Sequence, residues 1–142
     1  MIYLDTGCLV KLYYPEPDSQ KVAAIVAGKP IFFNPLHELE LTNALHLKLF
    51  HRTASPAQVQ AAAGLVEADM KSGVLLSAVS NWEKIFRSAT DLARQHSCSF
   101  GCRSLGVLHC AAALVLEAGE FLSTDARQQR LASAMGLKLV TF

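Results

Sequence analysis

Five short apolar runs recur along the chain, with helix-length segments between them: Ile2-Tyr3-Leu4, Ile31-Phe32-Phe33, Val74-Leu75-Leu76, Phe121-Leu122-Ser123 and the closing Leu137–Val140. Short strands alternating with helices constrain the fold severely. Parallel strands need long crossovers and are covered on both faces, so the pattern predicts an α/β domain with a parallel five-stranded sheet flanked by helices. The 142 residues suit one domain, 1–142, and 51% hydrophobic content supplies a filled core. No repeat, low-complexity tract or linker divides the chain.

Local signals place the helices between the strands. Residues 1–5 read as a strand and 6–14 as a short helix halted by Pro15 and Pro17. A helix over Ser19–Ala27 closes at Gly28. Asn34-Pro35 supplies an N-cap and a proline at the first helical position, opening a helix to about His51. Ser55-Pro56 repeats that start, with Val59, Ala62, Val66 and Met70 on one face and Gly73 past the end. Ser80 with Glu83 reads as a capping box, followed by a core stripe of Trp82, Ile85, Phe86, Ala89, Leu92 and Ala93. A polar loop is expected around Ser97–Arg103, then an apolar helix to about Glu117 that stops at Gly119. The last helix, Ala126–Met135, ends at Gly136.

Thirteen basic and twelve acidic residues leave a net charge of +1 and a pI near 7.7. Contact with nucleic acid therefore depends on a local patch and not on a global field. No apolar run approaches the roughly 18 residues of a membrane span. The chain starts directly on a strand, without a basic-then-apolar leader, and a soluble cytoplasmic protein is expected. Cys98, Cys102, His109 and Cys110 lack the paired Cys-x-x-Cys spacing of structural zinc sites, so the thiols, with Cys8, are expected to stay reduced.

Three acids stand where this fold would gather them. Asp5 follows the first strand, Asp125 follows the fourth, and Glu40 lies in the first turns of the helix after the second. In open α/β sheets ligands bind beyond the C-terminal strand ends. Carboxylates sharing a pocket repel unless a cation neutralises them, and magnesium or manganese suits an all-oxygen site. Such an ion serves phosphodiester hydrolysis. Each acid also has a plain role: Asp5 and Asp125 suit N-caps, Asp125 with Gln128 resembles a capping box, and Glu40 fits a solvated helix face, as Glu38 does. Spacing alone leaves both readings open.

The run from Leu4 through Asp5-Thr6-Gly7-Cys8 to Tyr13 resembles the opening motif of PIN-domain ribonucleases, especially VapC-type toxins of toxin–antitoxin pairs. Glu40-Leu-Thr-Asn-Ala-Leu resembles their second motif, Arg103-Ser-Leu-Gly-Val-Leu-His-Cys-Ala-Ala-Ala the third, and Leu122-Ser-Thr-Asp-Ala-Arg-Gln-Gln-Arg-Leu-Ala with Met135-Gly-Leu-Lys-Leu-Val the fourth and the closing strand. The resemblance implies a three-layer PIN-like fold, a Mg2+ or Mn2+ site of Asp5, Glu40 and Asp125, and endonucleolytic cleavage of RNA. Glu40 is preferred to Glu38 because Ala44-Leu45 fits the family spacing only from Glu40. On this alignment His109 is a packed helix residue and not a ligand. Of the candidate phosphate contacts Lys11, Arg52, Arg87, Arg103, Arg127 and Arg130, Lys11 and Arg127 fall nearest the acids. The resemblance also implies a homodimer and a cognate antitoxin whose C-terminal segment covers the site.

One departure matters most. The third motif ordinarily carries an aspartate where this chain has Gly106, and Gly7 replaces a serine common two residues after the first acid. No local turn accounts for Gly106, which costs about 1 kcal/mol against alanine inside a helix. It reads as a lost acid. Removing one positioned group costs roughly 10²–10³ in rate, so cleavage is expected to be impaired. The alternative is an inactive PIN-like module that binds RNA or a protein partner without turnover. Gly7 also denies the second aspartate of a haloacid-dehalogenase-type phosphatase, and the first turn lacks the glycines of a dinucleotide site.

Overall fold

The computed structural model describes residues 1–142. Its elements run β1 (Ile2–Leu4), α1 (Thr6–Tyr13), α2 (Ser19–Val26), β2 (Ile31–Phe33), α3 (Pro35–Phe50), α4 (Pro56–Ser72), β3 (Leu75–Ser77), α5 (Trp82–Phe100), α6 (Ser104–Val115), β4 (Glu120–Leu122), α7 (Ala126–Ala134) and β5 (Leu139–Val140). All strand pairs are parallel, in the order β3-β2-β1-β4-β5. The chain leaves β1 toward β2 on one side and later returns to β4 on the other. That reversal is a topological switch point, and the crevice it opens lies beyond the C-terminal end of β1.

Alternation along β1 divides the core into two layers. Ile2 and Leu4 face α1, α2, α3 and α4 in a cluster with Leu9, Val22, Leu45 and Val59. Tyr3 points the other way, toward α5, α6 and α7, and packs with Ile85, Ala111, Phe121 and Leu131. Helices on both faces complete a three-layer α/β fold. No helix is long and apolar enough to cross a membrane.

Three sequence expectations change. Helix α5 runs unbroken to Phe100, so the expected loop over 97–103 shrinks to residues 101–103. The polar residues there form a helical outer face, and Gly101 (φ 65°) ends the helix in the left-handed conformation glycine permits. Asn81, not Ser80, caps α5: its side chain accepts from the Lys84 amide at 3.0 Å, while the Ser80 hydroxyl donates to the Ala78 carbonyl. Phe86 stays 57% exposed and Met70 46%, so neither belongs to the buried core the sequence pattern assigned them to.

Candidate functional site

The site grows from the ends of β1 and β4. The Asp5 amide donates to the Leu122 carbonyl at 3.0 Å, extending the ladder between these strands to their last residues. Asp5 is extended (φ −70°, ψ 166°) and caps α1, its Oδ1 accepting from the Cys8 amide at 2.8 Å. Its Oδ2 accepts from the Ser123 hydroxyl, whose oxygen accepts in turn from the Asp125 amide at 3.0 Å. One serine thus ties the two acid-bearing turns together. Asp125 caps α7 through Oδ1, which accepts from the Arg127 and Gln128 amides at 2.8 and 3.2 Å, and the Arg127 guanidinium stands 3.3 Å from Oδ2. Burial pulls the Asp125 carboxyl up, but Arg127 and the two amides outweigh it and hold the group below its ordinary value.

Glu40 arrives from α3. Its Oε2 accepts from the Thr6 hydroxyl at 2.9 Å and from His109 Nε2. Partial burial raises this carboxyl, and the bonds from His109 and Thr6 more than reverse the effect, keeping it ionised below the ordinary 4.5. His109 is 2% exposed, and its Nδ1 accepts from the Tyr3 hydroxyl at 3.0 Å. The Tyr3 oxygen accepts from Asn34 Nδ2 at 3.2 Å. Beneath them His37 donates through Nε2 to the Leu4 carbonyl at 2.8 Å and accepts at Nδ1 from the Asn34 amide. Burial, then the adjacent His109, push the His37 imidazole down to about 3, so it is neutral. With a proton on His109 Nε2 the bonds run in one direction, from Asn34 through Tyr3 and His109 to Glu40, which fixes the direction in which Glu40 points.

Asp5, Glu40 and Asp125 line one polar cavity of about 210 Å³, together with Thr6, His109, Arg103 and Arg127. Each carboxylate that caps a helix or accepts a hydrogen bond also faces this cavity. Of the two basic residues placed nearest by sequence, Arg127 lines it and Lys11 does not. Lys11 faces an adjoining groove with Lys48 and His51 that shares only Gly7 with the acidic cavity. There Glu16 pairs with Lys48 at 2.7 Å and with Lys11 at 3.5 Å.

Two sequence readings are corrected here. His109 is packed, as expected, yet it also bonds the acid Glu40. Gly106 is more than a lost acid, because a Cβ there would stand 2.8 Å from Cys102 Sγ and 3.0 Å from Gln128 Cγ. The room an aspartate would need is already filled, so glycine answers a steric demand that no local turn reveals. A Cβ at Gly7 would meet nothing closer than Asp5 Oδ1 at 3.5 Å, an ordinary contact. Sequence reasoning missed Thr6, Ser123 and Gln128. The signals were their places beside the acids: Thr6 follows Asp5, Ser123 precedes Asp125 by two, and Gln128 lies one turn into the helix that Asp125 caps.

The carboxylate oxygens that line the cavity suit a hard divalent cation. No three His, Cys, Asp or Glu side chains stand close enough together to enclose an ion among themselves. Gln128 Oε1 is buried without a hydrogen-bond partner, and the stem of the same side chain fills the space beside Gly106.

Comparison with known proteins gives a consistent result. The family described as PIN domain matches residues 2–134. No curated protein matches the chain. Among solved structures it is similar to FitAcB from Neisseria gonorrhoeae, with a TM-score of 0.65 and 14% identity over 99% of this chain and 97% of the other. It is similar to VapBC2 from Rickettsia felis bound to a DNA fragment from their promoter (TM-score 0.64, 17% identity, 99% and 98% covered). A third is VapBC-1 from nontypeable Haemophilus influenzae (TM-score 0.62, 16% identity, 99% and 97% covered). At these identities the likeness to the three structures is one of fold.

Proposed function

We propose, for a chain that belongs to the PIN domain family, the activity of a Mg2+- or Mn2+-dependent endoribonuclease that serves as the toxin of a toxin–antitoxin pair. Its cleavage is weakened by glycine at the third acidic position. The observation that carries this reading is the convergence of Asp5, Glu40 and Asp125, from three distant segments, on one polar cavity at the switch point of the sheet.

Asp5, Glu40 and Asp125 would hold the ion. When bound, it would polarise a phosphoryl oxygen and make water acidic enough to attack at neutral pH. The rest is done by the chain's own side chains. Thr6 and His109 engage Glu40 Oε2 and leave Oε1 free of any hydrogen bond within the chain. Ser123 and the Cys8 amide fix the Asp5 carboxylate. Arg103 and Arg127 present guanidinium groups to an RNA phosphate entering the cavity, and Lys11 lies one groove further along the strand's path.

The fold shared with VapBC and FitAcB supports a cognate antitoxin as partner, and an RNA substrate suits a cytoplasmic protein. Leu39 and Phe50 on α3, 68% and 79% exposed, supply apolar area for a homodimer.

Incubating the purified chain with a panel of structured RNAs, with and without Mg2+ or Mn2+, tests the proposal. Slow, metal-dependent cleavage is expected, abolished by Asp5→Asn, which keeps the helix cap but removes the charge. Binding of RNA without cleavage under every condition would remove the enzyme and leave a PIN-like binding module.

A further inference from the structure

We propose that Gln128 is the neutral oxygen donor that replaces the missing third carboxylate, completing an ion site with Asp5, Glu40 and Asp125. The proposal rests on the metal-dependent reading above and specifies the ligand set by which this chain realises it.

Two independent features point to Gln128. The stem of its side chain fills the space beside Gly106: a Cβ on that residue would lie 3.0 Å from Gln128 Cγ and 3.3 Å from its Cδ. Glycine and glutamine are therefore a matched pair, each explaining the other. The Gln128 Oε1 atom is also buried and unpartnered, although a buried acceptor without a donor carries a full desolvation cost. The chain offers it no N–H or O–H. A cation or its water supplies the missing partner.

The fold places Gln128 and Gly106 in the same cavity as the acids Asp5, Glu40 and Asp125. Helix α7 begins at Asp125, whose Oδ1 accepts from the Gln128 amide, so one turn of helix fixes both residues. The terminal torsion of a glutamine is broad and roughly two-fold. Its oxygen can turn toward the cavity while the stem stays packed on Gly106. An amide oxygen is a hard donor of the kind that binds magnesium, calcium and manganese. Using it in place of a carboxylate keeps the oxygen and removes one negative charge, so this site holds its ion with less electrostatic help.

Mn2+ binding to the full-length chain, followed by titration calorimetry, is the test, with thermal melting as a second readout. Wild type should bind Mn2+, and Asp5→Asn should lose it. Gln128→Met, which keeps length but removes the acceptor, should weaken binding roughly ten- to hundredfold, the usual effect of losing a supporting oxygen. Gln128→Glu should tighten it. Without the ion, Gln128→Met should melt no lower than wild type, because it removes an unpaired acceptor and leaves the space filled. If Gln128→Met binds Mn2+ as wild type does while Asp5→Asn does not bind, Gln128 is no ligand and the acidic site stands without it. A lower melting temperature of ion-free Gln128→Met would assign Gln128 a packing role and overturn the proposal. Failure of wild type to bind any Mn2+ would overturn both the ligand set and the metal-dependent reading.

Discussion

At the scale of single residues, the floor of the site is set by a histidine that does not take a proton. The His37 imidazole, held down to about 3 by burial and by the neighbouring His109, differs from its ordinary 6.5 in the unfolded chain. Its pKa is lower in the folded state, so the unfolded chain takes up the proton first. The stability this contributes is complete above pH 6.5 and drains away as pH falls toward 3, at up to about 1.4 kcal/mol per pH unit. Urea midpoints measured between about pH 7 and 5, above the carboxylate range, should fall with acidity, and His37→Gln should flatten that slope. An equally steep slope in His37→Gln would place the acid sensitivity elsewhere. Sequence made Asp5 and Asp125 legible because strand ends are easy to read. It could not show that His109, 69 residues from Glu40, bonds that acid, nor that His37 sits beneath. His109 lies in an apolar helical run where packing alone is the simpler inference, and His37 stands in a first helical turn that gives no sign of the carbonyl it bonds.

At the scale of elements, the decisive contact is between α6, α7 and the turn at Cys102. Gly106 is a buried position on α6, and the space above it belongs to Cys102 Sγ and to the stem of Gln128 on α7. Restoring the family's acid by Gly106→Asp alone therefore overpacks the junction and should cost about 1–3 kcal/mol in a denaturation experiment. Adding Cys102→Ala and Gln128→Ala opens the seat, and the triple variant should recover much of that loss; if Gly106→Asp alone is as stable as wild type, the seat is not filled as described. Element boundaries were mostly legible because the chain punctuates them with Asn34-Pro35, Ser55-Pro56, Gly73 and Gly136. The errors fell where two candidates stood side by side. Ser80 and Asn81 are both good caps, and only the backbone's entry into α5 chose between them. The end of α5 was missed because a polar solvent-facing stretch looks like a loop until Gly101 breaks it.

At the scale of the whole molecule, the charge balance limits how the proposed RNA substrate would be held. A net charge of +1 gives no long-range pull on a polyanion. Affinity must come from the few cations beside the cavity, and these are partly engaged: Arg127 faces Asp125, while Lys11 and Lys48 share Glu16. Each phosphate contact on a single strand contributes about −0.7 to the slope of log affinity against log salt. With Arg103 and Arg127 as the main contacts the slope should be shallow, roughly −1.4. Anisotropy titrations of a labelled single-stranded RNA over a range of salt measure it directly, and Arg103→Ala should reduce the slope by about 0.7. Glu16→Gln carries the sharper test. It frees Lys11 and Lys48 without touching the acidic cavity, so an RNA lying across the adjoining groove should bind more tightly and with a steeper slope. If Glu16→Gln changes neither, the strand does not pass over Lys11, and the basic contacts are confined to the two arginines beside Asp125.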